Sequence, residues 1–157
     1  MRLVTGLFVL LTLMASTVLA QETGKVYVKT GWWGVAVSGY NSVAYFTERK
    51  PVVGKKEFAT KYQGVAYRFA SAEHRDMFNK EPQKYAPQYG GFCGWAVAQE
   101  YTAGIDPNAW DIVEARLILN YSLDIREKFR AGRKGFIEKA DKNWPKIRDD
   151  NGKKSAK

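Results

Sequence analysis

The sequence has very few residues of the kinds that bind transition metals or form covalent cross-links. It contains one cysteine, Cys93, and one histidine, His74. A single cysteine excludes an internal disulfide, and it also excludes a zinc site built from several cysteines. Zinc-finger spacing and aromatic ribonucleoprotein motifs are absent as well, so nucleic acid is not an expected partner.

The sequence motifs of common enzymes are also missing. It has no nucleophile elbow, no metalloprotease helix and no phosphate-binding loop. Cys93 and His74 are of the types that form a thiolate–imidazolium pair, but their local spacing does not demand one. We therefore expect a protein that is not an enzyme.

The one long apolar run of the sequence lies within its first twenty residues. Arg2 precedes an apolar stretch from Leu7 to Met14, and small residues lead to Ala20. This pattern predicts a secretory signal peptide over residues 1–20, cleaved after Ala20. A membrane anchor is the alternative, but the run is shorter than the roughly 20 residues that a span needs. We expect a periplasmic or secreted protein with no transmembrane span after cleavage.

Acidic residues are outnumbered by basic ones. The sequence has 25 lysines and arginines against 16 acidic residues, and its formal net charge is +9. A basic protein outside the cytoplasm is attracted to anionic envelope surfaces, so these surfaces and an envelope protein are the expected partners. Basic residues are densest near the end, where residues 149–157 are predicted to form a disordered basic tail. The alternative is that the charge serves only solubility.

Alternating side chains predict two β-hairpins. The first joins residues 58–62 to residues 65–69 through Gln63-Gly64, where glycine can adopt a positive φ. The second joins residues 110–113 to residues 116–120 through Glu114-Ala115.

Ser71 precedes a predicted helix that its hydroxyl can cap. His74, Met77 and Phe78 share one face of this helix, and Pro82 is expected to end it.

A second helical region is predicted after Ser122. Gly132 and Gly135 are expected to divide it, and Pro145 to lie beyond its end. Together these elements predict an α+β fold, a small antiparallel sheet built from β-hairpins with helices packed on one side.

Several motifs occur in an order that resembles the secreted bacterial YHS-domain proteins. They are Gly39-Tyr40 followed by Val43-Ala44-Tyr45-Phe46, Tyr67-x-Phe69-x-Ser71-x-Glu73, Pro82-x-Lys84-Tyr85-x-Pro87, Tyr89-Gly90-Gly91-x-Cys93 and Leu119-Asn120-Tyr121. The resemblance implies a YHS-like domain over residues 39–148, preceded by an N-terminal extension over residues 21–38. It also implies a relation to TRASH-type modules, which handle metals such as copper.

The chain departs from the family pattern at positions that matter for metal binding. Asn41-Ser42 stands where the family usually has Asp-Pro. The wider pattern has cysteines where this chain has Ala70 and His74.

The metal hypothesis therefore depends on Cys93 and His74, with Met77 as a third ligand. Thiolate, imidazole and thioether are ligands that Cu(I) accepts, so copper is the candidate metal, although no cofactor is certain. The alternative is that these residues are core side chains. The sequence leaves open whether Cys93 and His74 meet.

A second candidate is a binding face of aromatic and glycine residues. It consists of Tyr45, Tyr67, Tyr89, Gly90, Gly91 and Trp95. The alternative is that the tyrosines brace loops and the glycines form a tight turn. The two functional hypotheses are thus a periplasmic copper-handling protein and a non-catalytic structural or protein-interaction domain.

Overall fold

The structure, a computed structural model, describes residues 28–31 and 34–154. The predicted signal peptide and half of the predicted extension, residues 21–27, 32 and 33, lie outside these residues. No helix within the described residues is long and apolar enough to cross a membrane.

The described chain contains two β-hairpins, with helices before, between and after them. In chain order the elements are α1 (Ala44–Thr47), β1 (Lys55–Tyr62), β2 (Val65–Phe69), α2 (Ala72–Lys80), α3 (Pro82–Tyr85), α4 (Gly94–Ala98), β3 (Asp106–Val113), β4 (Arg116–Asn120), α5 (Leu123–Ala131) and α6 (Arg133–Lys154). Short 3-10 turns at Val37–Gly39 and Gln88–Gly91 complete the order.

The structure confirms the α+β class and both predicted hairpins. Each hairpin forms its own antiparallel sheet, β1 with β2 and β3 with β4. Gln63 and Gly64 have φ values of 49° and 77° in the first turn. Glu114 and Ala115 have φ values of 50° and 59° in the second. Two consecutive left-handed residues give the turn twist that matches the twist of paired strands.

Both serine caps are present. The hydroxyl of Ser71 accepts the backbone N–H of His74 at 3.2 Å, and that of Ser122 accepts the backbone N–H of Ile125 at 3.3 Å. Helix α2 ends at Lys80, just before Pro82. Pro82 itself begins α3, where its missing N–H costs nothing.

The C-terminal helix differs from the prediction. Gly132 separates α5 from α6, but α6 continues through Gly135 and Pro145 as far as Lys154. The prediction that Pro145 lies beyond the helix is therefore wrong. Proline removes one helical hydrogen bond. Ile147, two residues later, is buried in the core, and this packing favours continuation of the helix.

Strand β4 lies between two hydrophobic clusters. Leu117 and Leu119 belong to the first cluster, with residues of β2 and α2. Ile118 belongs to the second, with Phe129 of α5 and Ile137 of α6. Successive side chains of a strand point to opposite faces, so this one strand supplies both cores.

Candidate functional site

His74 lies in the first turn of α2 and contacts the segment before α1. The side chain of Asn41, which is fully buried, accepts the backbone N–H of Val43 at its Oδ1 atom, at 3.1 Å. This bond fixes the amide orientation, so the Asn41 Nδ2 atom faces the imidazole, 2.7 Å from His74 Nδ1. Because Nδ2 can only donate, Nδ1 accepts and the ring proton lies on Nε2.

The second ring nitrogen also has a partner. His74 Nε2 lies 3.5 Å from Thr47 Oγ1, and the Thr47 hydroxyl donates to the Val43 carbonyl at 3.2 Å. A metal needs a free lone pair on one imidazole nitrogen. In this arrangement Asn41 occupies the lone pair on Nδ1, and a proton occupies Nε2. His74 therefore serves as a bridge between α2 and α1.

Cys93 lies directly before α4 and is 1% exposed. Its Sγ donates to Asn120 Oδ1 at 3.7 Å, and the same oxygen accepts the backbone N–H of Trp95 at 3.2 Å. Burial raises the pKa of the Cys93 thiol. The thiolate is the form that binds metals and attacks electrophiles, so this environment disfavours both reactions.

The three predicted ligands make their contacts with different parts of the fold. His74 contacts residues beside α1, whereas Cys93 contacts the end of β4. Met77 packs against the first hydrophobic cluster. Within the described ranges, no group of three or more histidine, cysteine, aspartate or glutamate residues is arranged to hold a metal. The copper site of Cys93, His74 and Met77 therefore stays a prediction.

The three tyrosines of the predicted binding face lie in the interior. The Tyr45 hydroxyl donates to the Pro107 carbonyl at 2.9 Å, and the Tyr89 hydroxyl donates to Asp141 at 2.8 Å. The Tyr67 ring packs against Phe78 with centroids 4.7 Å apart. Burial raises the pKa of all three phenols. These contacts support the alternative in which the tyrosines brace the fold.

The glycine pair forms a tight turn. Gly90 and Gly91 have φ values of 60° and 78°, in the region that favours glycine. The Gly90 carbonyl accepts the backbone N–H of Lys29 at 2.7 Å. This bond ties the described part of the N-terminal segment to the turn.

Trp95, the last residue of the predicted face, lines an apolar pocket of about 210 Å³. The side chains that line the pocket lie far apart in the sequence. Its walls are Cys93, Trp95, Tyr101, Ala103, Tyr121 and Ile125. Tyr101 and Tyr121 are 47% and 61% exposed. Sequence reasoning missed Tyr101, Ala103 and Ile125. Tyr121 belongs to a sequence motif, and its high exposure is visible only in the fold.

A polar groove of about 640 Å³ shares one lining residue with this pocket. Tyr101 lines both cavities. The groove runs along α6, where Lys142 and Lys146 contribute positive charge, and Glu100 and Asp150 contribute negative charge.

Comparison with known families identifies one segment of the chain. Residues 43–89 match the family model of the YHS domain. The match supports the YHS family predicted from the motifs. No curated protein and no solved structure matches the chain.

The YHS match covers less than half of the chain. It includes His74 and Met77, but it ends before Cys93 and before all the other residues that line the apolar pocket. The pocket therefore belongs to the part of the fold that follows the YHS match.

Proposed function

We propose that this protein is a non-catalytic binding domain and that the apolar pocket beside Cys93 is its binding site. The observation that carries this proposal is the exposure of large apolar side chains around the pocket. Among the described residues the large hydrophobics that are exposed are Val53, Tyr101, Tyr121 and Leu123. Two of them line the pocket, and Leu123 follows Tyr121 closely.

Exposed apolar groups around a concave site are typical of binding surfaces, because each costs free energy when it faces water. Trp95 and Tyr101 meet edge-on, with centroids 6.3 Å apart, and form one wall. Behind this wall, Asn120 Oδ1 accepts hydrogen bonds from the Cys93 thiol and from the backbone N–H of Trp95. The pocket surface is therefore left apolar.

The state of the thiol supports a non-catalytic role. Burial raises the pKa of Cys93, so at neutral pH the thiol holds its proton and is a poor nucleophile. His74, the one side chain able to activate it as a neutral base, makes its hydrogen bonds with Asn41 and Thr47.

Copper handling in the periplasm, through Cys93 and His74, is the second hypothesis. The YHS match favours it, because the YHS family is associated with metal handling. The position of Cys93 in the pocket wall also favours it. Copper binding by both residues would require two changes. The hydrogen bond from Asn41 Nδ2 to His74 Nδ1 must break, and the Cys93 thiol must lose its proton.

Titration with 1-octanol, followed by NMR at the Trp95 indole and the Ile125 methyl groups, tests the pocket. We expect saturable binding that Tyr121→Ser weakens at least fivefold. Val53→Ser is the matched control, because Val53 is 63% exposed and does not line the pocket. Failure of octanol to perturb either probe would refute the pocket as a binding site. Stoichiometric Cu(I) that Cys93→Ser and His74→Ala both abolish would instead establish the copper hypothesis.

A further inference from the structure

We infer that the ligand of this pocket is an anionic amphiphile, with its apolar tail beside Cys93 and its acidic head on the lysines of α6. The inference rests on the proposed function, since it assumes that the pocket binds a ligand. It adds the chemical class of that ligand and the residues that select the class.

The two cavities share the lining residue Tyr101 and differ in character, one being apolar and the other lined by charged side chains. Tyr101 stands at their junction, with one part of its surface in the apolar pocket and another in the polar groove. Tyrosine suits such a boundary because its ring is apolar and its hydroxyl is polar. A molecule that extends past Tyr101 passes from an apolar wall to a charged one.

The charged wall is built from regularly spaced lysines. Lys139, Lys142 and Lys146 lie on one face of α6, since residues three or four positions apart are neighbours on a helix. Lys142 and Lys146 line the groove, and Lys139 lines a neighbouring cavity that also includes Lys142. All three are exposed.

These lysines are not held in ion pairs within the described structure. None of the three forms an ion pair with a carboxylate of the described residues, whereas the nearby Arg116 pairs with Asp141 at 3.0 Å. In the groove itself Lys142 and Lys146 are balanced by Glu100 and Asp150, and Lys139 of the neighbouring cavity gives the two linings together one positive charge in excess. This excess favours a head group with a single negative charge.

The sizes of the cavities favour a short tail. About 210 Å³ is below the range of roughly 300–1,000 Å³ that drug-sized ligands occupy. The groove, at about 640 Å³, lies within that range. A tail of moderate length therefore fills the pocket, while the head and the adjacent atoms lie in the groove.

Three ligands with the same eight-carbon tail separate the two parts of the inference. They are 1-octanol, octanoate and octylammonium, titrated into the full protein at low ionic strength and followed by NMR. We expect octanoate to bind about two- to tenfold more tightly than octanol, and octylammonium to bind most weakly. Octyl phosphate, as a fourth arm, distinguishes a phosphate head from a carboxylate head.

Charge variants on exposed positions test the assignment of the head. Lys142→Gln with Lys146→Gln should weaken octanoate about two- to fivefold per lysine and leave octanol unchanged. Glu100→Gln should strengthen octanoate. Lys134→Gln is the matched control, because Lys134 is an exposed lysine of α6 that lines neither cavity.

Each outcome has one meaning. Equal binding of octanol and octanoate, or indifference of octanoate to the paired lysine change, overturns the anionic head but leaves the pocket intact. Tighter binding of octylammonium overturns it as well. Binding of none of the ligands overturns both the inference and the proposed function.

Discussion

Substitution of Asn41 by alanine removes the side chain that joins the start of α1 to α2. The substitution deletes the 2.7 Å bond to His74 Nδ1 and the 3.1 Å bond from the Val43 N–H. Each such bond contributes about 1 kcal/mol, and a buried N–H left without a partner costs about 1–3 kcal/mol. We expect the free energy of unfolding to fall by about 2–4 kcal/mol.

Urea unfolding followed by far-UV circular dichroism measures this loss. For a protein of this size, a loss of that magnitude lowers the melting temperature by roughly 6–12 °C. A fall below about 0.5 kcal/mol would refute the argument that Asn41 ties the two helices together.

Asn41→Asp is the matched change, because aspartate keeps the oxygen that accepts the Val43 N–H. A carboxylate cannot donate, so His74 must place a proton on Nδ1 to keep the contact. Imidazole ¹⁵N spectra at mildly alkaline pH should show the Nε2–H tautomer in the native protein and a protonated Nδ1 in the variant. A native protein with the Nδ1–H tautomer would contradict the amide orientation.

Three further predictions follow from burial and close packing. Because burial raises the pKa of the Cys93 thiol, iodoacetamide at pH 8 should alkylate the folded protein at least about tenfold more slowly than the protein unfolded in urea. Equal alkylation rates in the two states would contradict the burial of the thiol. Phenols with raised pKa values stabilise the fold below about pH 10, and this stability is lost as the pH rises through their folded-state pKa values. A spectrophotometric titration should show fewer ionised tyrosines at pH 11 in the folded than in the unfolded protein, and the buried ones are Tyr45, Tyr67 and Tyr89. Gly94→Ala places a Cβ 2.7 Å from Ile118 and should lower the free energy of unfolding by about 1–3 kcal/mol, measured by urea unfolding. Gly135→Ala is the control, because its Cβ meets no atom within 4 Å. Equal stabilities of the two variants would contradict the close packing at Gly94.

Local signals in the sequence were sufficient to predict the hairpins and the helix starts. The Gln63-Gly64 turn and the caps at Ser71 and Ser122 depend on residues within a few positions of one another. Such features hold whatever the rest of the chain does. The sequence therefore predicted both hairpins and the starts of α2 and α5, but it did not predict α3 or α4.

Features that depend on distant residues were not predictable from local signals. The continuation of α6 past Pro145 depends on the burial of Ile147 against a core built from other elements. The pocket needs residues of α4, β4 and the connections beside them to meet, so no single motif contains it. The separation of Cys93 from His74 likewise depends on how α4 packs on β4 rather than on their distance in sequence.

The position of β4 between the two cores has a consequence for biosynthesis. Residues 43–89 leave the ribosome well before Leu117 and Leu119, which complete the first core, and Ile147 of the second core emerges later still. The nascent chain therefore has no finished core to bury its aromatic residues until almost all of the described sequence has been made. We therefore expect folding to be a late event that follows the synthesis of most of the described residues.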